Sequence, residues 1–297
     1  MINPATVGNG QRASVGFTDR GQLMNLNGVA LESVEADGTY EHLSPGAPEE
    51  GYALFYFNAA GDHVAYDVFF TDLNMGPATH QVVRSDALEL VKLSDVGTLD
   101  GLLRIRQTFT WSTNATRVDI RMEVTNLSSG DLSDVLIKRY ADLDVDTGGS
   151  RGWAGFENHW LTNRDSVMAF DNPSEAAAGY RAHIVNMVAM PGDFPYLGSF
   201  AGLFGGNQYN QRPNLYPVPS PNVRVDGVAV LQWHGDRLRS GETVRLHCYY
   251  DVYCLCSDVP LPGPPWKRED KEAIVLPDGT KYKVTQSLKQ DAAKPTG

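Results

Sequence analysis

The feature that most constrains this chain is the rhythm of its apolar residues, which alternate with polar ones in short runs almost from end to end. GQLMNLNGVALESVEA follows a turn at Asp19 to Gly21, and YALFYFNAAGDHVAYDVFF reads as two strands joined by an Ala-Ala-Gly-Asp turn. DALELVKLSDVG, LLRIRQTFTWS, TRVDIRMEVTNLS, DVLIKRYADLDVD, SVMAFD, RAHIVNMVAM, VAVLQWHG and ETVRLHCYYDVYC continue the pattern. These runs are rich in β-branched or aromatic residues and separated by Gly, Asn, Asp and Ser. Only SEAAAGY and a stretch near SFAGLFGG suggest short helices. Many short strands with turns about every ten residues predict an all-β fold, a sandwich or a barrel.

The sandwich is expected over about residues 10 to 259. Within it, the stretch from Met190 to Arg224 is dense in Gly, Pro, Asn and Tyr and reads as a long aromatic loop that covers either a ligand or the end of the sandwich. Residues 260 to 297 are a different kind of segment. PLPGPP is stiff and extended, KREDKE is a solvated charge run, and IVLPDGTKYKV predicts a hairpin around Asp278-Gly279. Such an arm can fold back, hang free, or add a strand to a second copy and make a homo-oligomer.

A net charge of -11, with scattered Lys and Arg, excludes nucleic acid as the main partner, because phosphate binding needs a basic face. No apolar run reaches membrane-spanning length, and MINPATVGNGQRASVGF lacks the basic start and apolar stretch of a signal peptide. The chain as given therefore reads as cytoplasmic, or secreted if it is a processed form. Asn114-Ala-Thr116 and Asn126-Leu-Ser128 match the glycosylation sequon, a triplet that surface turns produce by chance. The three cysteines, Cys248, Cys254 and Cys256, share a strand face with Leu246, Tyr250 and Val252 and read as buried free thiols. Neighbours on one strand face stand about 7 Å apart, too far for an easy bridge.

The stretch KRYADLDVDTGG carries the chemistry. Read as a strand, it puts Asp142, Asp144 and Asp146 on one face and Ala141, Leu143 and Val145 on the other. A row of like charges needs a cation, a proton or water opposite it. Alternate carboxylates are the ligand pattern of calcium turns, so Asp142, Asp144 and Asp146 are the candidate metal ligands. The EF-hand itself is excluded, since Thr147 and Trp153 stand where it needs Gly and Glu. The same acids serve glycoside chemistry, which needs two carboxyl groups about 5 to 10 Å apart. Downstream, GFENHW brings Glu157, His159 and Trp160 close in sequence, adding a proton carrier and an indole on which a sugar ring can stack. The bland reading makes Glu157 and His159 an edge pair and Trp153 and Trp160 core residues. Among the remaining histidines His63, His80, His183 and His234 read as structural. No nucleophile elbow, P-loop, dinucleotide fingerprint or zinc-protease motif is present in the sequence.

Two short motifs add a resemblance. Val124-Thr125-Asn126 precedes a strand with polar residues, and Ser240-Gly241-Glu242 precedes LHCYYDVY. In both the chain resembles the large sandwiches of the galactose mutarotase-like class and the sandwich domain at the front of bacterial glucoamylases. The resemblance covers about Gly16 to Val259 in strand rhythm and implies an all-β, large antiparallel two-sheet β-sandwich of the supersandwich kind with a carbohydrate-related fold. Where mutarotases carry a catalytic histidine, this chain has Arg139-Tyr140-Ala141-Asp142, so no mutarotase residue carries over.

The leading reading is a protein that processes a carbohydrate or polyol in a cleft by carboxylate and histidine acid–base chemistry. Asp142, Asp144, Glu157 and His159 are its catalytic candidates, with Asp144 as base or nucleophile and Glu157 or His159 as proton donor. Arg139, Tyr140, Arg151, Trp153, Trp160 and Tyr209 are its candidate ligand contacts, Arg139 or Arg151 also holding a carboxylate ionised. The alternative is a non-catalytic assembly subunit, stabilised by calcium, whose C-terminal arm exchanges strands.

Overall fold

A computed structural model describes residues 6–9, 13–23, 30–35, 38–43, 50–68, 71–85, 89–112, 115–145, 158–170, 183–203, 208–212, 225–254, 267–270, 273–275 and 281–283. Among these residues every regular element is a strand except one 3-10 turn at Gln208–Asn210. No helix long and apolar enough to cross a membrane is present among them.

Two antiparallel sheets form the body. One has eight strands in the order β13-β14-β15-β18-β11-β10-β9-β8, namely β13 (His159–Asn163), β14 (Ser166–Phe170), β15 (His183–Met190), β18 (Thr243–Cys254), β11 (Arg117–Asn126), β10 (Leu103–Ser112), β9 (Glu89–Thr98) and β8 (Met75–Ser85). The other has six in the order β16-β17-β12-β5-β6-β7: β16 (Tyr196–Leu203), β17 (Gly227–Leu238), β12 (Leu132–Asp142), β5 (Glu50–Asn58), β6 (Gly61–Val68) and β7 (Thr71–Leu73). Phe109, Ile120 and Leu246 of the first meet Tyr52, Ile137 and Leu231 of the second in one apolar core. The all-β two-sheet sandwich expected from the sequence is the fold observed. A smaller sheet joins β1 (Thr6–Asn9), β2 (Ala13–Phe17), β3 (Leu31–Glu35) and β4 (Gly38–Glu41). Near the C-terminus β19 (Lys267–Asp270), β20 (Ala273–Val275) and β21 (Lys281–Lys283) form a sheet in that order, β20 and β21 pairing antiparallel, while the turn read at Asp278-Gly279 lies outside the described residues.

Burial explains why some strands are plain in the sequence. β9 and β10 alternate strictly between buried and half-buried positions, as a strand with one covered face must. β12 is buried at every position from Val135 onward, because both of its faces are covered. Ile137 and Ala141 point into the main core, while Tyr140 packs with Val68, Phe200, Tyr209, Val228 and Val230 on the outer face. Two expectations are corrected here. SFAGL is part of strand β16 rather than a helix, and the irregular stretch after Met190 contains that strand, paired along β17 with a bulge at Gly198. SEAAAGY lies outside the described residues.

The two motifs behind the sequence resemblance meet in space. The Asn126 N–H donates to the Glu242 carbonyl and the Gly241 N–H to the Asn126 carbonyl, both at 2.9 Å. The Asn126 carboxamide donates to Gly130 O and Leu238 O. Gly241 takes φ +73°, the left-handed region that glycine enters without strain. These residues fasten the β11–β12 turn to the β17–β18 turn, and Asn126 is fully buried. Their work is structural.

Candidate active site

Strand β12 ends at Asp142, and the chain continues through Leu143, Asp144 and Val145 without strand pairing. Three tethers fix that continuation. The Asp144 N–H donates to His42 O at 3.0 Å, the Asn158 carboxamide donates to Leu143 O at 2.7 Å, and Leu143 and Val145 are buried in the main core. Asn158 also bridges Val225, just before β17, and the Trp160 indole N–H donates to Val225 O at 3.1 Å. Next comes Gly227, where an added Cβ would lie 2.7 Å from Gly202 O and 2.8 Å from the Trp160 ring. Only glycine allows that approach, which seats Asp226 beside the end of β12.

The result is a three-carboxylate group. Asp142, Asp144 and Asp226 each present an oxygen within 4.8 Å of the others; the first two are buried and the third is accessible to solvent. The Asp144 carboxyl is pushed up to about 8, first by burial, then by the neighbouring charges of Asp226 and Glu41. Glu41, also raised, to about 7 by burial, accepts hydrogen bonds from the backbone N–H groups of Ala30, Leu31, His42 and Leu43. Around them gather aromatic and imidazole rings. His183 lies 4.9 Å from Tyr40 and 5.1 Å from His42, His42 bonds Ser33 at 3.0 Å, and His159 stacks on Phe170 at 5.4 Å. An oxygen-only donor set of this kind suits a hard cation such as calcium.

The expected site residues divide clearly. Asp142 and Asp144 come together, and His159 stands beside Asn158 at the same end of the sandwich. The expected strand ladder is corrected in form: pairing stops at Asp142, and the third described carboxylate is Asp226. Asp146, Arg151, Trp153 and Glu157 lie outside the described residues. Arg139 does not face these acids. It points between the two sheets, forms an ion pair with Glu50, and donates to Gln107 Oε1 at 2.7 Å and Gly21 O at 3.1 Å. Trp160 is fully buried in the core rather than displayed as a platform for a sugar ring. Tyr140 and Tyr209 pack edge to face at 5.3 Å on the outer face of the six-stranded sheet, where apolar burial rather than ligand contact accounts for them. Asp226, Glu41 and His42 were missed by sequence reasoning. The only trace of Asp226 is a lone acid before Gly227 at the head of an apolar run, a pattern common in turns.

Other histidines have partners away from the three acids. His63 stacks on Tyr56, His80 pairs with Asp19, His234 with Asp134 and His247 with Asp119. Cys248 is a buried free thiol pushed up to about 12 by burial.

No protein-family model matches the chain, and no curated protein sequence does. Three solved structures are similar in strand arrangement. They are a bacterial glucoamylase complexed with acarbose (10% identity, TM-score 0.49, covering 83% of this chain and 31% of that one), a putative aldose 1-epimerase from Escherichia coli K12 (13%, 0.43, 84% and 99%) and a GH36 alpha-galactosidase from Geobacillus stearothermophilus (8%, 0.40, 85% and 40%). The chain thus spans less than half the length of the glucoamylase and of the galactosidase. These are likenesses of strand arrangement alone.

Proposed function

We propose that the chain processes a carbohydrate or similar polyhydroxylated small molecule by carboxylate acid–base chemistry where Asp142, Asp144 and Asp226 meet. The observation that supports this reading is the grouping of three carboxylates within 4.8 Å, two buried and one open to solvent. Like charges this close do not all ionise at neutral pH, and sharing a proton among them is the usual resolution. Asp144, raised to about 8, holds the proton and is the donor. That reverses the sequence-based assignment of Asp144 as base, and burial is the reason. Asp226, facing water, is the base or nucleophile. The spacing lies nearer the roughly 5–5.5 Å of retaining glycosidases than the roughly 6.5–9.5 Å that leaves room for a water. His159 is the further proton carrier at this end. The substrate class comes from the sequence resemblance and sets the first assay.

The test is a panel of glycosides and aldoses run against the wild type, Asp144→Asn and Asp226→Asn. Turnover that falls on its alkaline side near pH 8, and is lost in Asp226→Asn with the melt unchanged, is the expected result. Full activity in both variants would remove the assignment.

A second reading is favoured by the same oxygen-only donor set: a calcium-clamped, non-catalytic assembly subunit. Calcium that binds the native state raises apparent stability by mass action. A melt several degrees higher in millimolar calcium than in EDTA, with the difference absent in Asp226→Asn, selects this reading. Oligomers lost on truncation after Pro262 would place the C-terminal arm in it.

A further inference from the structure

The strands that begin at the acidic site end on the far side of the sandwich. There the β13–β14 turn, the end of β15 and the connection into β16 enclose a depression of about 440 Å³. That volume lies within the range of about 300–1,000 Å³ usual for small-molecule sites. We infer that this depression is a second ligand site, separate from the three acids, that takes a neutral polyhydroxylated ring such as one monosaccharide unit.

The pocket is preformed. The Ala189 N–H donates to Asp165 O at 2.8 Å, the Asp193 N–H to Arg245 O at 3.0 Å, and the His234 N–H to Pro195 O at 2.9 Å, so the connecting segment is held by its backbone along its length. Phe194 is buried and wedged over Gly235, where an added Cβ would lie 2.4 Å from its ring. Tyr196 stands edge-on to Trp233 at 5.5 Å. A site whose walls are fixed before binding loses little ordering entropy when a ligand enters.

The lining chooses the ligand. Pro191, Phe194, Pro195 and Tyr196 offer an apolar floor that suits the C–H face of a sugar ring. Two carboxylates, Asp165 and Asp193, line the same space. Each has a cationic neighbour: Arg245 lies 3.1 Å from Asp193, and Arg164 lies 3.9 Å from Asp165. Arg245 is shared with Glu123 at 3.4 Å, so the rim is slightly negative: an anion is disfavoured, and a cation meets carboxylates that already have guanidinium partners. A ligand with several hydroxyls gains instead, because the two lining carboxylates accept from them. Both carboxylates are more than half exposed, which predicts weak, millimolar binding rather than tight capture.

The probes are methyl α-D-glucopyranoside, methyl α-D-galactopyranoside and maltose, each titrated against the full chain by saturation-transfer NMR and calorimetry. Asp165→Ala/Asp193→Ala and the milder Asp193→Asn are the variants, and the amide signals of Ala189 and Asp193 report binding at this pocket rather than at the acidic site. The expected result is millimolar binding of at least one probe that shifts those signals, at least tenfold weaker in the double variant and measurably weaker in Asp193→Asn. Two results would overturn the inference: binding at those amides unchanged in both pocket variants, or no shift of those signals by any of the three sugars.

Discussion

Two buried charge groups in this sandwich are built in opposite ways. Around Arg139 every charge has its counterpart: the guanidinium pairs with Glu50, which also accepts from the Tyr250 hydroxyl at 2.8 Å and the Leu23 N–H at 2.6 Å. At the end of the same strand, Asp142 and Asp144 are buried beside Asp226 and near Glu41, like charge against like charge. Matched charges between sheets hold a scaffold together. Gathered like charges cost folding energy, and evolution tolerates that cost mainly where protons or cations are handled. Arg139 marks the first kind of place and Asp144 the second.

The sharpest way to break this contrast is to remove one member of the matched pair. Glu50→Gln leaves a fully buried guanidinium without its counter-charge, and denaturant unfolding is expected to show a loss of about 3–5 kcal/mol. A loss below about 1 kcal/mol would mean that the pair is not the fixed element described here. In the acidic group the sign reverses. Asp144→Asn relieves repulsion and is expected to raise stability by about 1–3 kcal/mol at pH 8.5, where the wild type carries the buried negative charge.

A third buried polar residue, Asn126, sits between these cases, being neutral and hydrogen-bonded on both ends of its carboxamide. Asn126→Ala is expected to cost about 1–2 kcal/mol with no change in pH dependence. Cys248, buried near Arg139, gives the smallest effect: burial outweighs the guanidinium, so the native thiol is expected to stay unreactive to a disulfide reagent at pH 8 until the protein unfolds. Rapid native labelling would show that the inter-sheet core opens.

The strand pattern was legible wherever one face meets water, as in β9, β10 and β11, and the fold class followed from it. β16 was hidden because half of YLGSFAGL is Gly, Ser or Ala, residues with weak strand preference, and its register slips between Tyr196 and Gly198. Half of the candidate site was also legible. Asp142 and Asp144 stand in one short run, and their spacing announced that they lie together. Glu41 ends β4 and Asp226 lies just before β17, distant stretches of sequence that only the fold brings close. The aromatic residues misled for a physical reason: a tryptophan that would stack on a sugar and one that fills a core have the same sequence signature, and the Gly227 contact that settles Trp160 as core is a fact of packing.

Protonation of Asp144 is the central claim, and linkage measures it most directly. A carboxyl with a folded value near 8 and an ordinary unfolded value near 4 contributes stability that is fully present at low pH and is lost as pH rises toward 8. Glu41, Asp67 and Asp251 are raised too and act in the same direction, whereas Lys138, lowered to about 7 by burial, acts in the opposite one. Subtracting the curve of Asp144→Asn from that of the wild type isolates the single group. The measurement is the unfolding free energy of both proteins in EDTA from pH 4 to pH 9. The account predicts that the variant gains on the wild type steadily from about pH 4 and that the gap levels off near pH 8. A gap that does not change with pH would show that Asp144 is ionised in the folded protein as it is in the unfolded chain, and the proton-donor assignment would fall.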